Sequence, residues 1–208
     1  MYKISQYGIK GPLLTWLFNF LTKRTMKVVI EGHCSEEVHV TSGVPQGTVL
    51  GPLLFLCHIN DLPDNVKSKV RLFADDCLLY REIITQNDHL RLQEDLCALE
   101  TWAKDWGMHF NAKKCYVLSI KNKSCFDYTL EQTILEKVAH HPYLGIELSE
   151  DLKWNRHIRK ISQKATGTIG FTEKFETLPN FMQMKRILGS GKTCLGIWSS
   201  CLGPVPTR

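Results

Sequence analysis

The sequence predicts an α+β fold in which antiparallel strands carry helices on one face, and two observations support this. The apolar and polar periodicities change in the order helix, hairpin, helix, hairpin, helix, strand, without the strand–helix–strand alternation of a doubly wound parallel sheet. In addition, 208 residues with 43% apolar content can bury one good core. No repeat, low-complexity tract or clear linker interrupts the chain before about residue 170, which predicts one continuous domain over 1–170.

Residues 12–22, "PLLTWLFNFLT", are predicted as an amphipathic helix entered through Pro12, where a missing N–H costs nothing. "MKVVIEG" and "EEVHVTSG" alternate apolar and polar around a turn expected at Gly32–Ser35, which is a hairpin signal. After the turn "SGVPQG" a second helix is expected from about Val49 to Asn60. "VRLFADDCLLY", residues 70–80, reads as two short strands with Asp75 and Asp76 at the bend. The clearest helix comes next. Thr85 or Asn87 can cap it, Leu92, Leu96, Leu99, Trp102 or Ala103, and Trp106 repeat at three and four, and Gly107 stops it. "KCYVLSI" predicts a strand, further β signals run to "YLGIEL", and a short basic helix is expected from about Trp154.

The net charge of +5 is unevenly spread. Residues 1–60 hold five basic and three acidic side chains, residues 61–151 eleven and sixteen, and residues 152–208 ten and two. An acidic centre beside a basic C-terminal third suits a polyanionic partner. The eight cysteines, at 34, 57, 77, 97, 115, 125, 194 and 201, form no Cys-x-x-Cys pair and no zinc spacing, so they are expected to be reduced thiols of an intracellular protein. The longest apolar stretch, "GVPQGTVLGPLLFLCHI", is broken by three Gly and two Pro and reads as a buried turn and helix, neither a membrane span nor a signal peptide.

Adjacent carboxylates on apolar strands repel each other and are hard to disperse into water. A solvated turn is one explanation, since Asp favours turns. A divalent cation is the other, and Mg2+ suits best because it takes one or two carboxylates and completes its shell with waters and phosphates. "TSGVPQGTVLGPLLFLCHINDLPD" together with "RLFADDCLLY" resembles the reverse transcriptases of non-LTR retrotransposons, the LINE-like elements of the jockey and CR1 type. The resemblance continues through "YGIKGPLLTWLFNFLTKRTMKVVIEG", "LETWAKDWGMHFNAKKCYVLSI" and "HHPYLGIELSEDLKWNRHIRKISQKA", so it covers roughly residues 2–170 in order.

The resemblance implies a polymerase palm-like antiparallel sheet and an RNA-directed DNA polymerase, which joins a primer 3′ hydroxyl to the α-phosphate of a nucleotide at two Mg2+ ions, with Mn2+ a possible substitute. It implies Asp75 as the principal metal ligand with Asp76 beside it. It places Pro45, Gln46, Gly47 and Phe73 at the nucleotide and template pocket, Lys114 of "NAKKC" near the triphosphate, and Tyr143, Leu144 and Gly145 of "YLGI" at a hairpin gripping the primer end. The implied partners are an RNA template, a DNA primer and deoxynucleoside triphosphates, in the cytoplasm or nucleus and away from membranes.

Departures from the family pattern set further expectations. The third metal-binding aspartate lies in the family upstream of the block "YGIKG", near which this chain starts, and Asp61 of "INDLPD" falls at the end of the helix after the pocket loop and cannot replace it. The fingers and the first catalytic strand are therefore expected to be lacking, and the chain alone is expected to be inactive. After "KATGTIGF" the thumb pattern stops, and 171–208 is expected to be a divergent, poorly ordered tail. Its "GSGKT", residues 189–193, has Arg186 where a phosphate-binding loop requires its first glycine, so no nucleotide site is expected there. The alternative to a polymerase fragment is a non-catalytic remnant that binds nucleic acid through the basic C-terminal third.

Overall fold

A computed structural model describes residues 1–121, 125–173 and 202–204. Helices and strands are mixed as the sequence predicts. The first elements are α1 (Tyr2–Gln6), α2 (Gly11–Leu21), β1 (Arg24–Met26), β2 (Val29–Ile30), β3 (His33–Cys34), β4 (Val38–Val40) and α3 (Leu50–Ile59). They are followed by β5 (Lys69–Phe73), β6 (Asp76–Tyr80), α4 (Gln86–Asp105), β7 (Met108–Phe110) and β8 (Tyr116–Leu118). The remainder are β9 (Thr129–Leu130), β10 (Thr133–Ile134), β11 (Glu136–Val138), β12 (His140–Tyr143), β13 (Ile146–Ser149), α5 (Asn155–Glu173) and β14 (Leu202–Pro204). Among the described residues each strand has one partner, so the strands pair two by two, and β8 with β11 is parallel.

The chain divides into two compact units. The first holds Met1–Ala112, Thr129–Thr133 and β14; the second holds Lys113–Tyr128 and the chain from Ile134 through α5. In the first, α2 begins at Gly11 with Pro12 in its opening turn and buries Leu17 against Ile4 of α1 and Leu54 of α3. Ile59 and Leu62 are fully enclosed, and α4 buries Leu99, Trp102 and Ala103. The periodicity expected of α4 is present, with Thr85 and Asp88 forming a capping box and Gly107 in the left-handed region at φ 66°.

Three local expectations are corrected. The first hairpin turns at Glu31 and Gly32, with φ 50° and 84°, so His33 and Cys34 belong to a strand and not to the turn. Two central residues at positive φ match the twist of the flanking strands, and one of them is a glutamate, a residue type that does not announce a turn. Asp76 is the first residue of β6, and the bend is Ala74–Asp75. The basic helix α5 is 19 residues long, not short. The expected tail falls mostly on 174–201 and 205–208, including "GSGKT", and so lies outside the described residues.

Candidate active site

Strands β5 and β6 pair in the register Lys69 with Tyr80, Arg71 with Leu78 and Phe73 with Asp76. Alternation therefore puts Arg71, Phe73, Asp76 and Leu78 on one face, and Val70, Leu72, Cys77 and Leu79 on the other. The second face holds buried Val70, while Phe73 on the first is 59% exposed. Asp75 occupies the turn and Asp76 opens the return strand, both half-buried. Ala74 takes φ 49°, a position where an L-residue is strained and glycine would be at ease. A positive φ here matches the twist of the two strands that the turn joins.

Two carboxylates on consecutive residues, with Cys77 on the opposite face, form an oxygen-only donor set of the kind that suits Mg2+. No group of three or more His, Cys, Asp or Glu side chains capable of holding a metal occurs among the described residues. The pair fits a cation whose remaining ligands are waters and phosphates. Asp61 is engaged elsewhere, accepting a bond from Lys3 Nζ at 2.5 Å.

The sequence did not single out the residues at the root of this hairpin. Asp95, buried in α4, accepts the backbone N–H groups of Lys67 at 2.9 Å and Ser68 at 2.8 Å. On the exit side Arg81 Nη1 donates to Ser68 Oγ at 3.2 Å, and its Nε lies 3.6 Å from the Asp88 carboxylate. The Thr85 backbone N–H and hydroxyl and the Ile84 N–H, with Arg81 nearby, hold the Asp88 carboxyl down at about 2. One signal was available: Asp95 stands three residues after Leu92 and four before Leu99, a charge on the apolar stripe.

The "SGVPQG" loop belongs to the same unit. Gly47 has φ 78°, Gln46 is exposed and Pro45 half-buried. Thr48 Oγ1 donates to the Pro45 carbonyl at 2.8 Å and accepts the N–H of Gly51 at 3.1 Å, which ties the loop to the first turn of α3.

Lys114, Tyr143, Leu144 and Gly145 lie in the second unit. Lys114 is exposed at the end of the short 3-10 turn Ala112–Lys114. β12 and β13 form a hairpin with Tyr143 opposite Ile146, and its turn places Leu144 at φ 48° and Gly145 at φ 84°. Buried Glu147 braces it: His140 Nδ1 is 2.7 Å from Glu147 Oε1, Lys160 Nζ bonds the other oxygen, and the Glu147 N–H donates to His157 Nδ1 at 3.3 Å. Lys160 above all, then His140, holds the Glu147 carboxyl below its ordinary value, against the opposing effect of burial. Apart from this contact α5 is largely exposed as far as residue 168, with Arg156, Arg159 and Lys164 open to solvent.

None of the six described cysteines is in a disulfide, and no described helix is long and apolar enough to cross a membrane. Residues 1–148 match the family described as reverse transcriptase (RNA-dependent DNA polymerase). The RNA-directed DNA polymerase from the mobile element jockey of Drosophila melanogaster is 32% identical over 160 residues, 70% of this chain and 17% of that protein. The probable RNA-directed DNA polymerases from transposon BS and from transposon X-element of the same fly are 31% and 30% identical over 74% and 76% of this chain, and 18% of each relative is covered. The chain thus spans less than a fifth of the length of these relatives. No solved structure matches it.

Proposed function

The chain belongs to the reverse transcriptase family, and from that premise we propose that it is a palm segment of an RNA-directed DNA polymerase whose metal ligands are Asp75 and Asp76. The observation that carries this reading is the pair of half-buried aspartates at the strained tip of the β5–β6 hairpin. When bound, Mg2+ or Mn2+ would draw charge from the reacting phosphate and favour ionisation of the primer hydroxyl. The chain's own residues bind and orient. Asp75 and Asp76 would hold the cation, whose charge would also offset their mutual repulsion. Gly47, without a side chain, lets a base or sugar approach the backbone, and Gln46 offers an amide for hydrogen bonding. Phe73 presents an exposed ring; in the second unit, taken by itself, Lys114 offers an exposed cation suited to a phosphate and the Tyr143–Gly145 turn a tip suited to a primer end. Template RNA, primer DNA and deoxynucleoside triphosphates are the corresponding ligands, met in the cytoplasm or nucleus.

A second reading, a remnant that holds nucleic acid without turnover, is favoured by one observation: Arg156, Arg159 and Lys164 are exposed along α5. Such binding falls steeply with salt and ignores sequence. The experiment that separates the two is primer extension on an RNA template with Mg2+, and again with Mn2+, by the 208-residue chain and its Asp75→Ala variant. Extension that disappears in the variant supports the polymerase reading with activity in this chain. Salt-sensitive binding without extension, unchanged by Asp75→Ala and lost in Arg156→Ala/Arg159→Ala, supports the remnant. Extension equal in both proteins overturns the assignment of Asp75.

A further inference from the structure

Among the described residues β5 and β6 have no strand partner besides each other. With no further strand beside it, the hairpin takes its direction from the packing of its inner face and from the contacts at its base. The base is held by one buried carboxylate. Each oxygen of Asp95 takes one of two successive backbone N–H groups, Lys67 and Ser68, immediately before β5 begins. Two bonds to adjacent peptides fix a direction as well as a place. Arg81, immediately after β6 ends, donates to the Ser68 hydroxyl and so ties the exit of the hairpin to its entry.

The distance from this clamp to the turn gives the contact leverage. Five residues of strand at about 3.3 Å each put the aspartates roughly 17 Å from Asp95's grip. A tilt of about 10° at the base would carry the tip about 3 Å, whereas a misplacement of about 1 Å is enough to lose roughly a hundredfold in positioned chemistry. Val70 is buried on the inner face, and the Asp95 bonds add a directional hold at the base.

We propose that Asp95 is the positioning residue of the Asp75–Asp76 site, its two-point grip on Lys67 and Ser68 setting the pitch of the hairpin and, through it, the affinity of the aspartate pair for a divalent cation. The inference rests on the reading of Asp75 and Asp76 as metal ligands. A purely structural role for Asp95 would lower stability and leave the affinity of the folded protein unchanged.

The test is Mn2+ binding by the 208-residue chain, read from water-proton relaxation enhancement, with thermal melts alongside. Four proteins are compared: the parent, Asp95→Asn, Asp95→Glu, and Asp75→Asn/Asp76→Asn as the site control. The parent is expected to bind Mn2+ and the control to lose it. Folded Asp95→Asn, which puts an amide donor against an N–H, is expected to bind about 10- to 100-fold more weakly, the usual penalty for removing a group that orients a metal ligand. If Asp95→Asn does not fold, Asp95→Glu decides, because it keeps both acceptors and displaces them by one methylene; a loss of about tenfold is expected. Parent-like affinity in the folded Asp95 variants overturns the positioning role and leaves the metal site standing. Mn2+ binding that survives in the control, or is missing from the parent, overturns the metal-site reading and the positioning role together.

Discussion

The carbonyl oxygen of Pro45 lies 2.7 Å from the point where a Cβ on Gly51 would stand. Real side chains do not approach that closely, so glycine at 51 is what lets the pocket loop fold back onto the first turn of α3. Gly51→Ala must push the Pro45 carbonyl outward and break the bond it accepts from Thr48 Oγ1. The expected cost is about 1 to 3 kcal/mol, the range for overpacking a closed site. Thermal or urea unfolding measures it, and amide shifts at Gln46 and Gly47 should move with it. A variant as stable as the parent, with those shifts in place, would show that the loop is not locked through this contact.

That contact also shows where reading the sequence stops. The Gly-Pro pattern of "SGVPQG" announces a turn, but which glycine is indispensable depends on a carbonyl brought back across the loop. Turns written in one residue type are legible: Leu144–Gly145 sits where "YLGI" places a hairpin, and the β5–β6 tip coincides with "ADD". The turn at Glu31–Gly32 was misplaced because a glutamate there supplies one of the two positive φ angles. Asp95 stayed hidden because a search for apolar residues at three and four passes over the one charge on the stripe. The choice of strand partners escaped for a different reason: alternation tells which face is apolar and says nothing about the neighbour.

Lys3 separates the value of a side-chain stem from that of its charge. Its Nζ donates to the His58 carbonyl at 2.6 Å and to Asp61, and lies 3.8 Å from the Trp106 ring centroid and 4.5 Å from that of Trp102. Burial nevertheless lowers its pKa from 10.5, outweighing the bond and charge of Asp61 that raise it. The ammonium is therefore held at a cost, and the aliphatic stem contributes much of what the residue supplies. Lys3→Met is expected to remain within about 1 kcal/mol of the parent, whereas Lys3→Ala, which also vacates the space between the tryptophans, is expected to lose about 2 kcal/mol or more. Equal losses in the two variants, measured by urea unfolding, would assign the effect to the charge.

Glu147 gives the second unit a pH dependence whose sign follows from its partners. Lys160 first, then His140, stabilise its ionised form, so its folded pKa lies below the ordinary 4.5 despite the opposing effect of burial. A depressed carboxylate contributes stability that is fully present above the unfolded value and lost as pH falls through the folded one. Lys160 and His140 are themselves partly exposed, which screens the pair and holds its worth to about 1 kcal/mol. Amide exchange across β12 and β13 should therefore speed up as pH drops below 4.5, relative to Glu147→Gln once intrinsic rates are removed. At neutral pH the same variant should exchange faster than the parent by roughly fivefold, the equivalent of about 1 kcal/mol. Because Glu147 links the Tyr143–Gly145 hairpin to α5 through His157 and Lys160, the N-terminal turns of α5 should loosen in step with the strands. Loss of protection in β12 and β13 with α5 unchanged would show that the helix is held by other contacts.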